Sequence, residues 1–428
     1  MALGVLIGTW FMTAGPAQAQ EPATTTSIAA AGSVISTNLS VGTQPLVGVD
    51  LVVRKDGKEI GRATSNEAGL VEVTVPGGKQ YEVSLDPSTI PKGVSFAAGA
   101  RKVLKPFVQA SGRAPVVFQL TGKGVTEREA VSRFDRLANL FASGLRFGLV
   151  IALASVGLSI LFGTTGLTNF AHGEMVTFGA VATWYFNDPG SVGLPLIVAA
   201  LCGVVAAGCF GATLELGLFR PLRKRGMPDV AAMVVSIGLA FVLRYALAIV
   251  FGANPKQYAQ FAAQSPTIHL GPIDLRPKDL VVIGVSLAML VLVGLFLQRS
   301  RLGTAIRAVS DNRDLAESSG IDVQRVILTV WVLSGALAGL GGTLIGLTDT
   351  VSWNMGQRIL LVMFAAVVLG GLGTAFGAMA GGLLVGLVSD LSTYWLDSDL
   401  RIVVALAALV VVLLVRPTGI FGTTARRA

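Results

Sequence analysis

Charge, histidine and cysteine are what this 428-residue chain has least of: 14% Asp, Glu, Lys and Arg, two His and two Cys. It carries no H-E-x-x-H, no cluster of Cys ligands and no G-x-S-x-G elbow, which leaves little equipment for a membrane enzyme. It also lacks G-x-x-x-x-G-K-[ST]. The nearest approach, Gly77-Gly78-Lys79, ends in Gln80, so no phosphate cradle is present and any ATP used must be hydrolysed elsewhere. Cys202 and Cys209 stand seven residues apart in one apolar run, a spacing that no disulfide can close within a helix.

What is abundant is apolar surface. The chain is 52% hydrophobic with a mean hydropathy of +0.69, far too apolar for a soluble protein of this size. A polytopic membrane protein follows. The net charge of +8 then has its explanation in positively charged inside loops, and no nucleic-acid partner is implied.

The first residues read as export machinery. Leu3 to Ala14 is an apolar core followed by Ala17-Gln18-Ala19, which predicts a cleaved signal peptide over residues 1–19, although it lacks the usual basic start. Residues 20–44, rich in Ala, Thr and Ser, read as a flexible leader. Residues 45–122 change to short alternating runs. Asp56-Gly57 is a two-residue hairpin turn. Leu70 to Val75, a Pro76-Gly77-Gly78 turn and Tyr81 to Leu85 predict a second hairpin, and Val116 to Leu120 closes the sheet. The result is a small exported β-sandwich without catalytic residues, a spacer or docking module. Its run Thr64 to Val83 resembles the carboxypeptidase-regulatory-like sandwich. Thr126 and Glu129 form a capping box opening an amphipathic helix over residues 123–141 at the membrane surface.

Measured against the ~20 residues that a bilayer crossing needs, the apolar runs give spans near Ser143–Leu161, Phe170–Phe186, Val192–Leu218, Val230–Phe251, Leu280–Leu297, Val326–Leu347, Ile359–Gly370, Ala375–Leu391 and Leu400–Val415. The fold class expected is therefore an all-α polytopic membrane protein of eight to nine transmembrane helices, some broken, behind a small β-sandwich. An exported start and a basic end (Arg416, Arg426, Arg427) require an odd count, which favours nine. The ninth depends on a break at Gly370-Gly371-Leu372-Gly373-Thr374-Ala375-Phe376-Gly377. A similar interruption at Gly163 to Gly166 precedes Asn169, His172, Gly173 and Glu174. Broken segments in both halves point to a translocation path near the midplane; close helix packing through small residues is the equal alternative for the glycines.

Ionisable groups at membrane depth are costly and usually serve a purpose. His172 and Glu174 either cap and pair structurally or touch substrate. Arg244 either snorkels to the surface or attracts a carboxylate. Arg220 to Arg225, a basic anchor that includes Arg223, and the 28 residues from Arg299 to Val326 fall inside the cell by their charge. Within the latter, Leu302 to Ser319 predicts one amphipathic helix with Leu302, Ala305, Ile306 and Val309 on a common face, stopped by Gly320. It is either a solvated loop or a docking element for a soluble partner.

Phe170 to Glu174 (FAHGE), Arg220 to Arg223 (RPLR), Ala305 to Asp322, Val367 to Ala378 (VVLGGLGTAFGA) and Arg416 to Gly422 (RPTGIFG) together resemble the branched-chain amino-acid ABC transporter permeases of the LivH type. The resemblance covers residues 144–422. It implies a permease domain over about residues 142–422 with a short cytoplasmic tail at 423–428, in a bacterial inner membrane. It implies a second permease, two cytoplasmic ATPases and an extracytoplasmic binding protein as partners, beside membrane lipid, with no cofactor held by this chain. Arg307, Ala316, Glu317 and Gly320 fall in the family's ATPase-coupling loop. Asn169, His172, Gly173, Glu174, Gly370, Gly371, Gly373 and Gly377 fall along the path, and Arg220, Arg223 and Arg416 anchor the inner face. Urea or short amides are the alternative cargo, and an ion-coupled carrier the alternative machine.

Overall fold

The structure is a computed structural model that describes residues 33–122, apart from 42–43, 67–68, 77–78, 92, 97–99, 109–112, 117 and 119, and residues 133–421, apart from 260–267, 398–399 and 417. The expected signal peptide, the Thr126 to Glu129 capping box, Gly77-Gly78 and the tail with Arg426 and Arg427 lie outside the described residues. The chain divides into two units, Met1–Ser132 and Arg133–Ala428.

The described residues of the first unit form β-strands and the turns between them. Asp50–Lys55 and Lys58–Thr64 form a hairpin around Asp56 (φ 50°) and Gly57 (φ 79°), the left-handed pair that a two-residue turn demands. Leu70–Val75 alternates exposed and buried residues. Its partner is not Glu82–Leu85, as local order predicts, but Ser33–Asn38, whose other edge pairs in parallel with Arg113–Pro115. Glu82–Leu85 instead joins Asp50–Lys55, so the chain crosses from one sheet to the other between residues 75 and 82. Two corrections follow: the second hairpin is a crossover, and the expected leader contributes a central strand. Ile35, Val71, Val73 and Val75 of one sheet meet Leu51, Val53, Val83 and Leu85 of the other in one core. The buried Tyr81 donates its hydroxyl hydrogen to the carbonyl of Pro76 at the crossover.

Arg62 ties the outer face of this unit together, reaching Asp86 at 2.9 Å, Glu59 at 3.1 Å and Asp50 at 3.2 Å. Donation from the Ser88 hydroxyl and amide, and then from Arg62, holds the Asp86 carboxyl below the usual carboxylate range.

In the second unit each of the nine apolar runs is helical. We label the helices α1 (Arg133–Thr165), α2 (His172–Asn187), α3 (Leu196–Lys224, including a π-helical turn at Glu215–Phe219), α4 (Asp229–Phe251), α5 (Pro277–Arg299), α6 (Arg301–Asp311), α7 (Arg313–Ser318), α8 (Val323–Thr348), α9 (Met355–Gly370), α10 (Ala375–Ser392) and α11 (Arg401–Val415). Six of them, α1, α3, α4, α5, α8 and α10, are long and apolar enough to cross a membrane. The other three apolar helices, α2, α9 and α11, have 16, 16 and 15 residues, about 24 Å or less at 1.5 Å per residue. The expected surface helix over 123–141 does not stand apart: from Arg133 onward it is the start of α1, because Phe134, Leu137 and Phe141 run into the first span without a breaker.

Most of α1 and α8 is buried within the unit, whereas only a minority of α3 and α4 is. The central helices approach closely enough to need glycine. A Cβ on Gly179 of α2 would collide with the backbone of Gly339 in α8; one on Gly382 or Gly386 of α10 would collide with Ala152 or Gly148 of α1. Beside the first crossing, Thr183 and Thr343 share a hydrogen bond of 2.8 Å.

Gly179→Ala should destabilise the helical unit by about 3 kcal/mol, the upper range for overpacking, and lower the melting temperature in detergent. Gly238→Ala, where a Cβ meets nothing within 4 Å, should leave it unchanged or slightly raise it. In the β unit, the stability contributed by Asp86 is fully present above the ordinary carboxylate pKa of about 4 and is lost as pH falls through its lowered folded value. Asp86→Asn should therefore flatten the acid-side loss of hydrogen-exchange protection in Asp50–Lys55 and Glu82–Leu85 of the full-length protein.

Candidate functional site

The chain between α1 and α2 turns back into the bundle. Gly166 (φ 70°) ends α1, and the following segment is pinned by its own polar groups: the Phe170 amide donates to Ser236 Oγ of α4 at 3.1 Å, and the Ala171 amide to Asn169 Oδ1 at 3.0 Å. At the first residue of α2, His172 Nε2 lies 3.0 Å from the carbonyl oxygen of Ala154. Ala154 precedes the end of α1 by eleven residues (165 − 154), so α2 begins roughly 16 Å inside that end at 1.5 Å per residue. Asn169, His172, Gly173 and Glu174 are all buried there. Gly173 sits against the first turn of α9, where an added Cβ would lie 2.9 Å from the Gly356 carbonyl oxygen. The interruption expected at Gly166 is thus a helix start deep in the bundle.

Glu174 faces α4. Arg244 donates to it from Nε at 3.0 Å and from Nη2 at 2.9 Å, both to the same oxygen, Oε1. Glu174 Oε2 and His172 Nδ1 are buried without a hydrogen-bond partner. Arg244 does not snorkel: its side chain is 7% exposed and that of Glu174 1%, and the guanidinium carbon stands 5.2 Å from the Phe241 ring centroid. The pair spans 70 residues of sequence, and no local pattern announces it.

The long helix expected over Leu302 to Ser319 is two helices. Asn312 (φ −157°) interrupts it and caps α7 by accepting the Leu315 amide at 3.0 Å; Ser300 caps α6 through the Gly303 amide at 2.8 Å. The inward face is Gly303, Ile306 and Val309, while Leu302 is exposed, one step round the helix from the expected face. Ala316 is buried, so it seats α7 on the bundle rather than presenting itself outward. Arg307, Glu317 and Gly320 are exposed, as are Leu302 and Leu315. Gly320 takes φ 85°, and the Ile321 amide closes on the Ala316 carbonyl at 3.1 Å, which completes the left-handed helix stop.

The glycine turn between α9 and α10 lies at the same end of the bundle as α6. A Cβ on Gly163, in the last turn of α1, would meet Ser310 of α6 at 2.5 Å and the Gly373 carbonyl oxygen at 2.9 Å. The break at Gly371 to Thr374 is therefore a helix-end turn, and the expectation of a midplane break is corrected for it. Gly370 and Gly377 serve close packing instead, since a Cβ on either would strike the other's backbone. The segment after α11 folds over this turn: the Ile420 amide donates to Leu369 O at 2.8 Å and the Phe421 amide to Gly370 O at 3.0 Å. These are carbonyls that a helix C-terminus leaves unsatisfied. This strap is a role for the Arg416 to Phe421 stretch that sequence reasoning missed. Arg416 itself is exposed.

Arg223 forms a two-pronged pair with Glu215, with Nη1 to Oε2 at 3.1 Å and Nη2 to Oε1, and Nη2 also lies 3.4 Å from Gln324 Oε1 at the start of α8. Glu215 is fully buried, in the π-helical turn of α3. Arg220 is half-buried with its Nε unpartnered. Two expected anchors are thereby built into the bundle wall, Arg223 beside α8.

A family model described as "Branched-chain amino acid transport system / permease component" matches residues 140–415. The high-affinity branched-chain amino acid transport system permease protein LivH of Escherichia coli (strain K12) is 30% identical over 291 residues, 65% of this chain and 94% of that protein. The corresponding permease BraD of Pseudomonas aeruginosa is 28% identical over 290 residues with the same coverage of both chains. A probable LivH of Methanocaldococcus jannaschii is 28% identical over 292 residues, 64% of this chain and 89% of that one. All three matches leave about a third of the chain unaligned, and the family match begins at residue 140, after the β unit.

Removing one partner of a buried pair costs about 3–5 kcal/mol because the other charge is stranded. Arg223→Ala should therefore lower the detergent melting temperature markedly, while Arg225→Ala, an exposed neighbour, should not.

Proposed function

Because this chain belongs to the branched-chain amino acid transport permease family, we propose that it is the membrane-spanning permease subunit of an ATP-driven importer of branched-chain amino acids. In this reading it forms one half of the translocation path with a second permease. Two cytoplasmic ATPases work on it from the inner face, and a binding protein delivers substrate to the outer face. The β unit stands outside as a spacer or docking module, the C-terminus lies inside, and the membrane is a bacterial inner membrane. The chain hydrolyses nothing itself.

The observation that carries this reading is the α6–α7 element. Its exposed Leu302 and Leu315 stand beside exposed Arg307 and Glu317, a mixed apolar and charged surface suited to a cleft on a soluble partner. Its other side is seated by Ile306, Val309 and Ala316. Through Ser310 it lies against Gly163, whose other neighbour is Gly373. A displacement of the element by an ATPase is delivered to the end of α1 and to the α9–α10 turn, and α8 follows directly after α7. Alternating access then consists of these helix ends moving about the start of α2. An ion-coupled carrier fits less well: both oxygens of Glu215 are taken by Arg223, and Glu174 shares its Oε1 with Arg244.

Glu317→Lys is expected to abolish ATP-driven leucine uptake while membrane abundance stays normal and ATPase activity no longer responds to loaded binding protein. Gly320→Val, strained at φ 85°, should lower uptake at least tenfold. Wild-type uptake in both variants would overturn the coupling role.

A further inference from the structure

The Glu174–Arg244 pair is made in an unusual way. An arginine normally meets a carboxylate fork to fork, one nitrogen to each oxygen, as Arg223 meets Glu215. Arg244 instead brings Nε and Nη2 to Oε1 alone, and Oε2 is buried with nothing to accept from. Leaving a buried acceptor unpaired costs about 1–3 kcal/mol, and more for a charged group. The free oxygen belongs to a residue in the first turn of α2, a helix that begins deep in the bundle, where the helix dipole favours negative charge. His172 Nδ1, a second buried acceptor in that turn, is also unpartnered. The pair also leaves the Nη1 side of the guanidinium outside its contact with Glu174.

From this geometry we propose that Glu174 and Arg244 form a binding subsite for the two charged ends of an α-amino acid, with Oε2 of Glu174 accepting from its ammonium and Arg244 Nη1 donating to its carboxylate. The inference rests on the reading of the chain as an amino-acid permease, and it adds where substrate specificity resides within the membrane. A single carboxylate would draw cations and a single arginine would draw anions. A side-on pair presents one free acceptor and one free donor edge and stays neutral overall, which matches a zwitterion and offers urea little. Binding replaces the missing partner of Oε2 without leaving either protein charge stranded.

Two measurements on the assembled transporter, made with its second permease, ATPases and binding protein, test this. Glu174→Gln keeps an acceptor for Arg244 and converts the free acceptor into an amide donor. Leucine uptake should fall at least tenfold in maximal rate, with an unchanged half-saturating concentration of loaded binding protein and normal membrane abundance. Uptake within twofold of wild type overturns the proposal. The second measurement needs no variant: the wild-type membrane complex, without binding protein, is melted in the presence of millimolar leucine, leucinamide or 4-methylpentanoate. Stabilisation by leucine and not by either one-ended analogue is expected. Equal stabilisation by an analogue, or none by leucine, overturns the subsite. If the wild-type complex takes up no amino acid at all, the permease reading itself fails and this inference falls with it.

Discussion

Inside a bilayer a helix gains nothing from burying apolar surface against another helix instead of lipid, so close backbone contact has to supply the attraction. The crossings of Gly179 with Gly339, Gly382 with Ala152 and Gly386 with Gly148 provide it. They bring α2 and α10 against the two central helices, α8 and α1, at distances no side chain would permit. Everything polar in the bundle is positioned by that packing. His172 reaches Ala154 because α2 starts beside the middle of α1, and Glu174 reaches α4 from the same turn.

Arginine–carboxylate pairs between helices fasten more exposed helices to this centre, and one within α3 braces that helix. Arg146 of α1 holds Asp279 in the first turn of α5, Arg244 of α4 holds Glu174 of α2, and Arg223 braces the π-helical turn of α3 while touching α8. Buried pairs of this kind are weak sources of net stability but strongly resist separation, so they fix which helices travel together. The ends that remain adjustable are gathered where α6 sits: the last turn of α1, the α9–α10 turn and the strap over it.

Much of this was legible in the sequence, for stated reasons. Nine apolar runs became nine helices, since length and hydropathy decide that outcome. Asp56-Gly57 made its hairpin because both residues accept positive φ, and the glycines after Val368 divided two helices. Long-range partners were not legible. Ser33–Asn38 looked like leader by composition, and only its pairing with Leu70–Val75 makes it a strand. No local pattern joins Glu174 to Arg244 across the 70 residues that separate them. Asn312 carried a readable signal, an Asn three residues before the amide it caps, but the apolar periodicity running across it masked the break. The glycine stretch at Gly370 to Gly377 reads as a break from its sequence, but that the break is a helix-end turn beside Gly163 depends on neighbours that a single segment does not reveal.

The central claim is that this permease is driven by ATP hydrolysed on partners at its α6–α7 face and takes no energy from an ion gradient. The direct measurement is leucine uptake by proteoliposomes holding the complete transporter, with loaded binding protein outside and ATP sealed inside, before and after an uncoupler. Uptake that requires luminal ATP and persists when the gradients collapse is the expected result. Uptake that follows the gradient at constant ATP would contradict it.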